Sequence, residues 1–188
     1  MGGDLAETTE NNLATNLEVF GVKTTIISPG KSKNKNFNHI EINRFGITGL
    51  ETLSAARNIR KLLEENSNLV SDADLVLVDW RYVRPLRRQL RALPTRWAII
   101  DRGPPASSGI RGGRIQRELI RNLQKRFWNG AWRIAGDSSC GGFVVSTEHR
   151  KLALSKSGKN LDLRVLPSGT VPNHFLREKS DPSTHLYL

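Results

Sequence analysis

The 188-residue chain carries 29 Lys+Arg against 18 Asp+Glu, a formal charge of +11, with 37% hydrophobic and 25% charged residues. That is apolar material for one ordinary core, and recurring Val/Ile/Leu runs exclude disorder throughout. A lone cysteine, Cys140, excludes an internal disulfide and a thiolate-rich zinc site, and no apolar run approaches the roughly 20 residues that cross a bilayer.

Leu5, Leu13, Leu17 and Phe20 recur at helical spacing over 5–20, and Gly21 stands where a helix would end. Val22–Ser28 is β-branched and reads as a short strand closed by Pro29-Gly30; a basic loop, Lys31–Asn36, follows. A weak strand is expected over Phe37–Phe45, and a helix over Leu50–Leu63. Asp74–Asp79 is a continuous apolar strand, the pattern of burial on both faces in a parallel sheet.

The alternation continues. A helix is expected over Val83–Leu93, with Leu86, Leu90 and Leu93 inward and Arg84, Arg87, Arg88 and Arg91 outward. Trp97–Asp101 is a strand, and the Gly/Pro/Ser loop Gly103–Gly113 leads into a long helix over Arg114–Ala135. That helix sets Ile115, Leu119, Leu123 and Phe127 on one face and Arg114, Arg117, Arg121 and Lys125 in a basic stripe. Strand Phe143–Ser146, helix Thr147–Ser155 and strand Leu163–Leu166 complete the pattern. Strands separated by helices predict an α/β fold, a Rossmann-like parallel sheet flanked by helices. One domain is expected over 1–175, with 176–188 a tail or the start of a linker.

The charge is localised. Residues 81–133 hold 14 Lys+Arg against only Asp101 and Glu118, a net of +12, which leaves the remainder at −1. Trp80, Trp97, Trp128 and Trp132 lie in or beside this segment. Such a field attracts nucleic acid, anionic headgroups or phosphorylated small molecules; the alternative is a solvated surface. Interleaved tryptophans would suit base stacking, although Trp128 and Trp132, four apart on one helix, are equally natural as packing residues.

Several chemistries are excluded. Gly30-Lys31-Ser32 follows a strand, but the glycine a P-loop needs five residues earlier is Thr25. His39, His149, His174 and His185 are too scattered for a zinc site, and there is no G-x-S-x-G nucleophile elbow. No metal and no cofactor is expected. Two glycine-rich elements remain: Gly2-Gly3 before the first helix, and the loop through Arg111, Gly112 and Gly113 to Arg114. Each can offer amides, and the second also guanidinium groups, to an anion; each is alternatively a plain surface segment. Asp79 and Asp101 close strands, where ligands of open parallel sheets bind. They are candidate bases or hydroxyl ligands, or else caps and ion-pair partners, which is the favoured reading for Asp79.

The order of elements resembles the N-terminal domain of a GT-B glycosyltransferase, of the large retaining family 4 that includes sucrose and mannosyl transferases. Gly2-Gly3, then Leu13 through Gly21 to Ile27, are similar to that family's glycine loop, helix and strand. Asp74–Asp79, Ile99–Gly103, Gly141–Ser146 and Leu163–Phe175 resemble its later strand-end motifs. Family positions for asparagine, aspartate and the active-site histidine hold Ser168, Val171 and Asp101 instead.

The resemblance implies an acceptor-side half, truncated at both ends, of an enzyme moving sugar from a nucleotide-sugar to a phosphorylated, saccharide or lipid-linked acceptor. It implies that Gly2, Gly3 and Ser146 approach the donor and that Asp101 is catalytic. Arg102, Arg111, Gly112, Gly113 and Arg114 would bind acceptor or anion. A missing second domain or partner chain would hold the nucleotide-sugar. Arg84, Arg87, Arg88, Arg91, Arg117, Arg121 and Lys125 would meet an anionic surface at the inner face of the membrane, and a cytoplasmic location is expected. The alternative is a basic nucleic-acid-binding or non-catalytic partner-binding α/β domain.

Overall fold

A computed structural model describes residues 13–29, 37–43, 45, 51–103 and 113–166. The chain folds as α/β: parallel strands flanked by helices, a Rossmann-like arrangement. Helix α1 (13–19) ends at Gly21, whose φ of 76° lets the amides of Gly21 and Val22 return to the carbonyls of Glu18 and Leu17. Strand β1 (Thr25–Pro29) then pairs parallel with β2 (Asn38–Ile42) in a two-stranded sheet of its own. A single sheet was the expectation; the described strands form two.

The main sheet has four parallel strands in sequence order: β3 (Leu75–Asp79), β4 (Arg96–Asp101), β5 (Gly142–Val144) and β6 (Leu163–Val165). Helix α2 (Glu51–Glu65) buries Ala55, Ala56 and Ile59, and the single turn α3 (Asn68–Ser71) leads into β3. Where one helix was expected over Val83–Leu93, there are two short ones, α4 (Trp80–Val83) and α5 (Arg87–Ala92). Pro85 between them has no N–H to give an uninterrupted helix. Leu86 and Leu90 are buried as expected. Helix α6 (Arg114–Ser138) joins β4 to β5, and α7 (Thr147–Ser157), stopped by left-handed Gly158, joins β5 to β6.

Trp97, Ile99 and Asp101 project to the face that packs on α6, and in register with them Gly142, Val144, Leu163 and Val165. Trp128, Trp132, Ala131 and Ala135 of α6 complete this core. The opposite face is less covered. Leu75 and Leu77 of β3 are exposed, so the expectation of a strand buried on both sides is corrected: β3 is the edge of its sheet, and the described helices cover one side of it. Two close approaches fix the layers. A Cβ on Gly142 would stand 2.5 Å from Ile99 Cγ2, and one on Gly136 would stand 2.5 Å from the Ser157 carbonyl oxygen.

Candidate functional site at the carboxyl rim

In a parallel sheet every strand delivers its C-terminal residue to one rim. Here Asp79, Asp101 and the segment Val144–Ser146 end adjacent strands there. Their surroundings give them different roles.

Asp79 is a local brace. Its Oδ1 accepts from the Arg81 amide at 2.9 Å, capping α4, and its carboxylate takes the Arg81 guanidinium in a two-pronged contact at 2.8 Å on each oxygen. The favoured reading of this residue as cap and ion-pair partner is thus what the geometry gives.

Asp101 is 1% exposed. Its Oδ2 accepts from Trp128 Nε1 at 2.5 Å and Trp132 Nε1 at 2.9 Å, and lies 3.1 Å from His149 Nε2. Its Oδ1 accepts from the Gly103 amide at 3.0 Å. Burying a carboxylate is costly unless donors replace water, and four converge on this one. The His149 ring stacks on the Trp128 indole with centroids 5.9 Å apart, and its Nδ1 is buried with no hydrogen-bond partner. Asp101 therefore stands on the rim as expected, but its carboxylate is turned into the helix layer.

Ser146 belongs to the same cluster. Its Oγ accepts from the His149 amide at 3.1 Å, capping α7. His149 thus touches Ser146 through its backbone and Asp101 through its ring. Arg102 and Gly103 follow directly on the rim, both partly buried; Gly103 has φ of 138° and open space where a Cβ would be. Gly2, Gly3, Arg111 and Gly112 lie outside the described residues, as do 167–188 and with them the Leu163–Phe175 motif beyond Leu166. Gly113 and Arg114 are exposed at the start of α6.

No protein-family model matches the chain, and no curated protein matches it.

The run of α6 decides what faces the rim. Its C-terminal end meets the amino end of β4, where the Cys140 amide donates to the Trp97 carbonyl at 2.9 Å. Trp128 and Trp132 meet the opposite end of β4 at Asp101. Everything before Trp128 consequently projects past the sheet, and Arg114 lies about 21 Å farther along the helix axis. At 100° per residue, Arg114, Arg117, Arg121 and Lys125 share an arc of about 80° with Trp128 and Trp132. The basic stripe therefore continues the sheet-facing side of α6 out beyond the rim. All four of these side chains are exposed; Arg121 is 3.4 Å from Glu118 one turn away.

The tryptophans are core. Trp97, Trp128 and Trp132 are buried and Trp80 is partly so, which removes the aromatic element from the nucleic-acid reading. His149, which sequence reasoning passed over, is the residue that joins the rim. A shallow depression of about 400 Å³ lies at the other end of the sheet, lined by Leu93, Pro94, Arg96, Ser138 and Cys140 among others. Among the described residues no three His, Cys, Asp or Glu side chains group as metal ligands.

Proposed function

We propose that this chain is the acceptor-side half of a GT-B glycosyltransferase, moving sugar from a nucleotide-sugar to a phosphorylated acceptor, saccharide- or lipid-linked. One observation carries the reading: the Arg114, Arg117, Arg121 and Lys125 stripe of α6 extends the sheet-facing side of that helix past the carboxyl rim. A phosphate held by that stripe would stand over the turn at 101–103, where open parallel sheets take their ligands. In this reading Arg102 meets the acceptor anion at the rim, and Arg114, with Arg111, Gly112 and Gly113 just before it in sequence, meets anionic groups of the acceptor farther out.

Asp101 here is a positioning residue. Its carboxylate fixes Gly103 through the amide and fixes α6 and α7 through the indoles and His149, so the rim is rigid before acceptor arrives. Gly2, Gly3 and Ser146 are assigned to the donor diphosphate, as the resemblance implies. Departure of a nucleoside diphosphate from an oxocarbenium-like centre calls for amides and cations more than for a strong nucleophile, and the basic stripe of α6 supplies cations beside this rim. A second domain or partner chain supplies the nucleotide-sugar, and the reaction takes place on the cytoplasmic side.

The test is equilibrium binding of a panel made of glucose 1-phosphate, inositol phosphate and a short-chain polyprenyl phosphate, by calorimetry on the full chain. At least one member binds, and R117A/R121A weakens it by about tenfold, the loss of charge-assisted contacts to phosphate. Failure of all three to bind, or unchanged affinity in R117A/R121A, removes the reading.

A further inference from the structure

The same helix has an outward side that the transfer reading does not use. Ile115, Leu119 and Leu123 stand at i, i+4 and i+8 of α6 and are 86%, 69% and 54% exposed. At 100° per residue their stripe is centred about 160° from the Trp128–Trp132 side, so it points away from the sheet. Aliphatic side chains in such a row at such exposure are costly in water and are a mark of an interaction surface.

The charges around the stripe say what it meets. Arg126 and Arg133 lie in line with it along the helix and both are exposed. Arg84, from the turn after α4, joins them, its guanidinium 4.6 Å above the Phe127 ring and its Cδ beside Gly130. An apolar row bordered by arginines on long flexible stems is the pattern of a helix lying in a lipid–water interface, apolar side down, with cations at headgroup level. No helix among the described residues is long and apolar enough to cross a membrane, so the contact is one of lying on the bilayer.

We propose that the outward face of α6 docks on an anionic lipid surface: Ile115, Leu119 and Leu123 enter the interface and Arg84, Arg126 and Arg133 meet the headgroups. The stripe of Arg114 to Lys125, on the other side of the helix, stays free to face the rim. The inference goes beyond the transfer reading and stands without it.

The test is co-sedimentation of the full chain with vesicles of phosphatidylcholine alone and of phosphatidylcholine with an equal part of phosphatidylglycerol. The chain pellets with the mixed vesicles and not with the neutral ones, and added salt weakens the binding. I115S/L119S/L123S, at three exposed positions, and R126E/R133E each weaken it by about tenfold or more. As a second measurement, L119C in a C140S background carries a polarity-sensitive fluorophore, whose emission shifts to the blue on mixed vesicles. Sugar-phosphate binding by I115S/L119S/L123S remains, which separates this inference from the transfer reading. Equal pelleting by I115S/L119S/L123S and the parent, no blue shift, or equal binding to neutral vesicles overturns the proposal. So does a dimer that I115S/L119S/L123S dissociates, since a second copy would then cover the stripe.

Discussion

Asp101 and Trp132 are 31 residues apart in sequence, and the indole Nε1 of one donates at 2.9 Å to the buried carboxylate of the other. With Trp128 and His149 on the same oxygen, this bond sets the rotation of α6 and the anchorage of α7. D101A would leave two indole N–H groups and an imidazole buried without their acceptor. A loss of about 3–5 kcal/mol is expected, the range for removing one partner from a buried charged network. D101N, which keeps the shape and one acceptor oxygen, is expected to lose about half as much. Urea unfolding midpoints read both; a D101A protein within 1 kcal/mol of the parent, roughly the scatter for surface changes, would contradict the assignment.

W132F keeps most of the ring volume and removes the donor. About 1.5–3 kcal/mol is expected for the lost hydrogen bond to a charged group. The double variant D101N/W132F should cost less than the sum of the single ones, with a coupling of about 1 kcal/mol in a double-mutant cycle. Strict additivity would mean that the contact carries no energy of its own.

Two glycines of α6 should respond with opposite sign to alanine. At Gly130 the nearest atom to a new Cβ is Arg84 Cδ at 3.6 Å, an ordinary contact, so G130A should stabilise by about 0.5–1 kcal/mol through helix propensity. At Gly136 the same Cβ meets the Ser157 carbonyl oxygen at 2.5 Å, so α6 and α7 must separate, at about 1–3 kcal/mol. Thermal unfolding of the two variants side by side checks the sign of each.

Burial of Trp97, Trp128 and Trp132 also bears on the polyanions that the basic surface attracts. Acrylamide should quench the native fluorescence poorly, and single-stranded oligonucleotides should leave it unchanged even where low salt allows them to bind. Quenching that saturates with oligonucleotide would put the indoles on a stacking surface and contradict the fold described here.

The strand–helix alternation was legible because Asp74–Asp79 and Trp97–Asp101 are short apolar runs bounded by polar residues; Ser146, expected as a strand end, instead caps α7, and β5 closes at Val144. The break at Pro85 was passed over because Leu86, Leu90 and Leu93 just beyond it keep helical spacing. The rotation of α6 could not be read from apolarity. Ile115, Leu119 and Leu123 form as good an inward stripe as Trp128 and Trp132 do, and the two stripes point to different sides. What selects between them is the polar demand of buried Asp101, which indole N–H groups can meet and aliphatic side chains cannot. His149 was missed for the same reason. Its partner is 48 residues away, and only Ser146 three residues before it, a helix-capping spacing, marked the place.

The most direct measurement is a backbone amide NMR titration of the full chain with the phosphorylated acceptor that binds best. The largest shifts are expected at Arg102, Gly103 and Ser146 on the rim and along Arg114–Lys125. Shifts confined to the depression around Pro94 and Cys140, or no shift at the rim while the ligand binds, would contradict the assignment of acceptor to this edge of the sheet.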